Sequence, residues 1–352
     1  MNALDRLTDS RTASIGLVAG LVMLVLPFTG LLSEFYLGLV ISAMVLALFA
    51  MSFNLLFGYT GMLSFGHAAY FGTGAYVLAL ALDGELGFIP GVFESFVPAL
   101  VLAVLASGVV ALVIGFLCVQ RGDIYFAILT LALSMMLYET VFTWNDVTGG
   151  SDGLTVLVAP IELAGFSVNL VDTGTFYFLT LALLAGSIVL LWRLVNSPYG
   201  ELLLSIRENP ERATMIGIPV KRYQLSSFVI AGLFAGLAGT LFAVRTFIVT
   251  PHTLHWSMSA EPVMMTLLGG PSAFVGPIIG AVMFVGLEQA LSNITEHWQF
   301  GLGLLIVPIV LFFPNGLVGI LRGDSGGTVS VRESIAGLLG RESPTTEEDA
   351  HE

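Results

Sequence analysis

Between residues 54 and 74 the glycine-rich run NLLFGYTGMLSFGHAAYFGTG gathers Asn54, Ser64 and His67 among Gly58, Gly61 and Gly66. An amide, a hydroxyl and an imidazole at that spacing can satisfy backbone groups freed where a helix breaks, or they can line a polar path for a small solute. His67 does not make a metal site, because nothing near it supplies further ligands at a workable spacing. A second run, LGGPSAFVGPIIGA at 268–281, carries Gly269 and Gly270. The rest of the chemistry is sparse. The one lysine, Lys221, follows Val220 outside any glycine loop, so the chain lacks the phosphate loop needed to hydrolyse ATP. Cys118 stands alone, which excludes a disulfide framework and a thiolate cluster. No group of acids or Asp/His pairs suits a proton relay, and a net charge of −13 argues against a nucleic-acid surface.

A different kind of chemistry, that of docking, is concentrated at 197–222, SPYGELLLSIRENPERATMIGIPVKR. Glu201 to Glu208 predicts one helix, Asn209-Pro210 a cap and a restart, and Gly217 with Pro219 a stop. Two short helices carrying both apolar and charged groups suit a protein partner; a solvated connecting loop is the plainer reading.

The elements that position these residues follow from composition. With 56% hydrophobic and 11% charged residues and a mean hydropathy of +0.93, the chain is a membrane protein, since soluble domains run near ~25% charged. Spans of roughly 20 apolar residues are expected at 14–32, 36–57, 68–82, 96–119, 124–144, 175–194, 223–244 and 300–321. A further region, 261–291, is interrupted by the Gly269-Gly270-Pro271 and Gly276-Pro277 breaks. It forms either a re-entrant pair of half-helices or two full spans. The expected fold is therefore an all-α polytopic transmembrane bundle of about 8–10 spans with broken or re-entrant glycine-rich helices. Its parts are a cytoplasmic N-terminal segment 1–13, a membrane domain 14–321 with the interior loop 197–222, and an acidic disordered tail 322–352.

Arg6, Arg11, Arg193, Arg207, Arg212, Lys221 and Arg222 place both termini and the 197–222 loop in the cytoplasm of a multi-pass cell-membrane protein, surrounded by lipid. Glycine-interrupted segments in both halves point to a two-repeat transporter, with Asn54, Gly58, Gly61, Ser64, Gly66, His67, Gly269 and Gly270 as candidate path residues; close helix packing explains the same glycines. Glu139, Glu261 and Glu288 are the acids expected near membrane depth, each within reach of water. Outside, residues 148–153 read mainly as turns, and 251–256, with His252, His255 and Trp256, as a possible docking patch.

Several runs resemble one family, the permease subunits of ABC importers for branched-chain amino acids, of the LivM type. They are NLLFGYTGMLSFGHAAYFGTGAY (54–76), GDIYFAILTL (122–131), TGGSDGL (148–154), SPYGELLLSIRENPERA (197–213), FVIAGLFAGLAG (228–239), LGGPSAFVGPIIGA (268–281) and FPNGL (313–317). The similarity covers about 36–321. It implies a permease translocating branched-chain amino acids, or related amides or urea, by ATP-driven alternating access. The implied partners are two ABC ATPase subunits, a second related permease and an external solute-binding protein. It implies no enzyme activity and no cofactor in this chain, ATP being bound by the partner subunits. Glu211, Ala213 and Gly217 match the EAA-and-glycine pattern of coupling loops, and Glu201, Arg207, Glu208 and Asn209 belong to the same implied ATPase contact; Arg212 stands where alanine is common. The competing class is a stand-alone channel for urea or ammonia.

Overall fold

The computed structural model describes residues 33–84, 95–120, 123–157, 161–163 and 166–312, with Met23, Pro27, Gly316 and Val318 as isolated positions. The expected N-terminal segment, the span 14–32, the turn at Arg121 and the tail 322–352 lie outside the described residues.

Long apolar runs become helices because a chain in lipid must satisfy its backbone internally. These are α1 (Glu34–Asn54), α2 (Ala68–Asp83), α3 (Phe96–Cys118) and α4 (Asp123–Thr143), then the short α5 (Asn145–Thr148). α6 (Thr173–Val195) leads to α7 (Pro198–Glu208) and α8 (Pro210–Met215), and α9 (Val220–Thr246) returns. α10 (Trp256–Gly269), α11 (Gly276–Ser292) and α12 (Trp298–Phe312) complete the order. Strands are vestigial: β1 (Leu154–Thr155) pairs antiparallel with β4 (Ile248–Val249), and β2 (Ile161–Leu163) with β3 (Phe166–Val168). Among the described residues, five stretches are long and apolar enough to cross a membrane: Glu34–Thr60, Phe96–Cys118, Tyr125–Thr143, Thr173–Val195 and Val220–Thr246.

Contacts orient these elements. α1 and α9 run antiparallel, joined at one end by Arg245 against Gly38 and at the other by a Thr60–Ser227 hydroxyl bond of 3.3 Å. α3 runs antiparallel to α9, since Ser107 lies against Gly236 and Gly115 against Phe228. The bundle therefore has one end at Glu34, Thr173 and Thr246, and an opposite end at Thr60, Val195 and Val220. The α7–α8 pair sits at the second end. At the first, the Asp172 carboxylate caps α6; the Thr175 backbone N–H and hydroxyl donate to it at 2.8 Å each and hold it below the usual carboxylate range.

Two passes across the bundle are only partly helical. The segment expected as a full span at 68–82 is a helix of 16 residues, about 24 Å long and short of the ~30 Å hydrocarbon core. Residues 61–67 cover the missing distance without helix. Gly66 abuts the Thr130 carbonyl near the middle of α4, so α2 begins at that level. In the opposite direction, residues 247–255 descend from the end of α9 until the Leu254 carbonyl accepts from the Ser134 hydroxyl, also mid-α4. α10 then completes that pass. The broken region is thus two passes, α10 and α11, rather than a re-entrant pair, and the described residues traverse the bundle nine times: α1, α2, α3, α4, α6, α9, α10, α11 and α12, α2 and α10 with their non-helical lead-ins.

Glycine sets the closeness of these contacts. A β-carbon on Gly239 would fall on the Phe71 carbonyl, and one on Gly280 on the Met265 carbonyl. Backbone cannot swing aside as a side-chain tip can. Gly239→Val and Gly280→Val should each destabilise the fold by at least the ~1–3 kcal/mol of overpacking. Gly186→Ala, with open space around the added carbon, should leave the thermal melt of the detergent-solubilised protein unchanged; equal melts for all three variants would contradict this packing.

Candidate functional site

The site begins where α1 loses its regular pitch. After Asn54 the chain widens into a π turn, Leu55–Thr60, which ends at Gly61 with φ of +77°. Widened turns release carbonyls from the α ladder, and buried carbonyls need new donors. The Thr60 hydroxyl donates to the Leu55 carbonyl at 3.0 Å. The Gly58 carbonyl takes its proton from elsewhere: Arg207 of α7 donates to it through Nη1. The same arginine stem packs over Gly61. Such a charge-assisted bond to a neutral carbonyl contributes ~1.5–3 kcal/mol.

A third element closes on this point. A β-carbon on Gly58 would stand 2.5 Å from the Pro271 carbonyl, in the turn between α10 and α11. Gly270 (φ +106°) opens that turn, and Gly316 lies against the Gly270 backbone. The two glycine-rich runs, more than 200 residues apart in sequence, therefore meet in space, with Arg207 bonded to the first of them.

α7 is held firmly enough to carry load. Gly200, Leu203 and Ile206 form its buried stripe, and the Tyr199 hydroxyl bonds Ser226 Oγ at 2.7 Å. Asn209 accepts from the Arg212 N–H at 2.8 Å and caps α8, as the sequence predicts. At the far end Gly217 (φ +88°) donates to the Thr214 carbonyl at 3.0 Å and Ile218 to the Ala213 carbonyl at 3.1 Å. That pair of bonds is a Schellman cap, available cheaply only to glycine. Ala213 is buried, whereas Glu201, Glu208 and Glu211 face solvent. Between them Met215 and Ile216 are 84% and 73% exposed. These two carry the apolar part of the surface, and the sequence reading missed them. The signal was present: an apolar pair directly before the stop glycine, inside a polar loop.

The polar residues of the first glycine run are fully enclosed. His67 Nε2 meets Ser52 Oγ at 2.9 Å, and its ring stacks on Phe49 at 5.4 Å between Phe53 and Tyr70. Asn54 Oδ1, Ser64 Oγ and His67 Nδ1 are buried without hydrogen-bond partners. The expectation that Asn54, Ser64 and His67 satisfy freed backbone groups is corrected: Thr60 and Arg207 do so, because they reach the released carbonyls. At mid-level the first N–H of α2, from Ala68, donates to Ser259 Oγ of α10 at 2.9 Å, joining the two half-helical passes at their helical starts. That contact spans 191 residues, and no local pattern announces it.

One other expectation changes. The 251–256 patch is mostly interior, since Pro251, Thr253 and Leu254 are buried and only His252 and Trp256 are exposed; it is the descending segment itself. Glu261 and Glu288 sit on the antiparallel α10–α11 pair close enough to interact electrostatically, while Glu139 is exposed. Residues 148–153 are turns, as expected, with Gly149, Gly150 and Gly153 all at positive φ.

Removing the Arg207 guanidinium while keeping an apolar stem, as in Arg207→Met, should leave the Gly58 carbonyl unpaired. Amide exchange across residues 55–62 is then expected to quicken about tenfold or more, measured by hydrogen–deuterium exchange. Unchanged exchange would show that the bond carries no load.

Comparison with known proteins bears on what this arrangement is for. Residues 35–313 match the protein family described as branched-chain amino acid transport system / permease component. The chain is 28% identical over 300 residues to the high-affinity branched-chain amino acid transport system permease protein LivM of Salmonella typhimurium, covering 79% of this chain and 69% of that one. It is 24% identical over 304 residues to the probable branched-chain amino acid transport permease protein LivM of Methanocaldococcus jannaschii, covering 77% and 85%. It is also 25% identical over 233 residues to the galactose/methyl galactoside import permease protein MglC of Haemophilus influenzae, covering 61% and 64%. No solved structure matches.

Proposed function

The chain belongs to the branched-chain amino acid transport system permease family, and from that premise we propose that it carries branched-chain amino acids, or closely related solutes, through the membrane under the drive of separate ATPase subunits. The observation that carries this reading is the α7–α8 pair. It offers a solvent-facing apolar tip, Met215 and Ile216, on a pair that also exposes Glu201, Glu208, Glu211 and Arg212, and is bonded through Arg207 to the break in α1. A surface of that kind outside the apolar spans fits a groove on a soluble partner. Movement of that partner reaches the glycine junction through a single rigid helix.

The sequence holds no nucleotide-binding loop, so energy comes from a neighbour. A second related permease completes the pathway, and an external solute-binding protein recognises the amino and carboxylate groups and delivers the solute. Low affinity along the passage favours release, because a tight site would trap its cargo. The loop then faces the cytoplasm, and the Glu34–Thr246 end faces outward.

Met215→Asp combined with Ile216→Asp should abolish co-purification of the ATPase pair from a gentle detergent extract while insertion persists. Gly217→Pro removes a donated bond and forbids the required φ; it and Glu211→Lys should leave ATP hydrolysis running with uptake reduced severalfold. Wild-type uptake and substrate-stimulated hydrolysis in both reconstituted variants would refute the coupling role. A chain that purifies alone and conducts urea or ammonia without ATP would be a channel instead.

A further inference from the structure

At the end of the bundle away from α7, the first turns of α1 and α6 and the last turn of α9 enclose a cavity of about 200 Å³. Its wall includes Glu34 and Arg245, with Ile41, Phe176 and Val244 as apolar surface and Phe247 at the rim. Opposite charges sharing a small cavity would ordinarily close on one another, yet no ion pair joins these two among the described residues. Both line the cavity.

The guanidinium is seated rather than dangling. Arg245 Nε donates to the Gly38 carbonyl at 3.4 Å, and a β-carbon on Gly38 would land on the guanidinium itself. Glycine at 38 makes the room that the charge occupies. Phe247 adds a second, independent mark. Its φ of +58° makes it the lone non-glycine residue at positive φ among the described residues. A bulky side chain held there costs ~1–3 kcal/mol, and such strain gathers at ligand sites.

We propose that this cavity binds a free aliphatic α-amino acid, its carboxylate on Arg245, its ammonium on Glu34 and its side chain against Ile41, Phe176 and Val244. The assignment rests on the permease reading and narrows it. A zwitterion neutralises both walls at once. A neutral sugar or urea leaves both charges uncompensated, and a simple anion or cation answers one and meets repulsion from the other. Two charge contacts on a partly open site give the weak, reversible hold that a waystation needs.

The test uses the full chain in lipid nanodiscs with photo-leucine, a diazirine analogue that keeps both charges. Labelling should fall within residues 34–41, 171–176 or 244–247. Leucine should compete, whereas 4-methylpentanoate, 3-methylbutylamine and urea at equal concentration should not. Arg245→Gln also cuts the tie between α1 and α9, so two gentler variants decide the matter. Glu34→Gln removes one charge at an exposed position, and Gly38→Ala displaces the guanidinium while keeping every charge. Each should lower labelling about two- to fivefold, the loss of one such partly exposed contact. Labelling indifferent to both variants, or competed equally by the acid alone, overturns the proposal. Labelling that disappears only in phosphatidylethanolamine discs gives the cavity to a lipid headgroup and overturns it too. Leucine uptake by the whole complex is measured separately: uptake with an unlabelled cavity leaves the permease reading intact and sinks this site, and labelling without uptake does the reverse.

Discussion

A carbonyl released inside a membrane bundle has to find a donor, and the structure turns on where Gly58 finds one. The helix ladder has widened there into a π turn, so the backbone N–H four residues on is out of phase. The donor is Arg207, on a helix outside the apolar spans. An arginine outside the apolar spans that satisfies a carbonyl of one of them ties the two regions together. Its cost is desolvation of part of the guanidinium, offset because the acceptor would otherwise stay unpaired at ~1–3 kcal/mol. Gly58 and Gly61 are glycines for the same reason: Pro271 and the arginine stem occupy the space where β-carbons would lie.

From that contact the architecture of the two interrupted passes follows. Residues 61–67 rise from the π turn to mid-bundle and 247–255 descend from the end of α9 to the same level, so the two half-helices start back to back. Their junction is the Ala68 N–H on Ser259 Oγ. Non-helical backbone survives at that depth because α1 and α4 pack against the first segment and α2 and α4 against the second. His67, packed among Phe49, Phe53 and Tyr70, belongs to that wrapping.

Much of this was legible in the sequence. Apolar runs located the helices within a few residues, and the Asn209-Pro210 and Gly217 signals gave α7 and α8 their limits, because caps and stops are local chemistry. Glycine density located both breaks. What stayed hidden was long-range. Nothing near Arg207 says that its guanidinium turns toward Gly58 instead of a partner, and nothing near Ser259 says that it caps another helix. The 68–82 run is apolar enough to read as a full span; only its contact with the middle of α4 reveals that half of the pass is not helical. Residues 251–256 looked external because they follow the run ending at 244 in the count of spans, and a count of apolar runs cannot show that the chain turns back into the bundle at once.

The ends of the bundle are not independent. α1 with its π turn is 27 residues, about 40 Å of nearly continuous helix, and α9 is as long. They are bonded to each other near both ends, through Thr60 and Ser227 beside the Arg207 contact and through Arg245 and Gly38 beside the charged cavity. Two antiparallel rods pinned at both ends slide together or break a pin. Packed interiors resist gradual deformation, so a displacement imposed at Gly58 is not absorbed by the apolar middle. It is carried by α1 toward Gly38, where the same glycine that admits the Arg245 guanidinium also fixes its position over the cavity. The two ends are in this way joined through the same pair of helices.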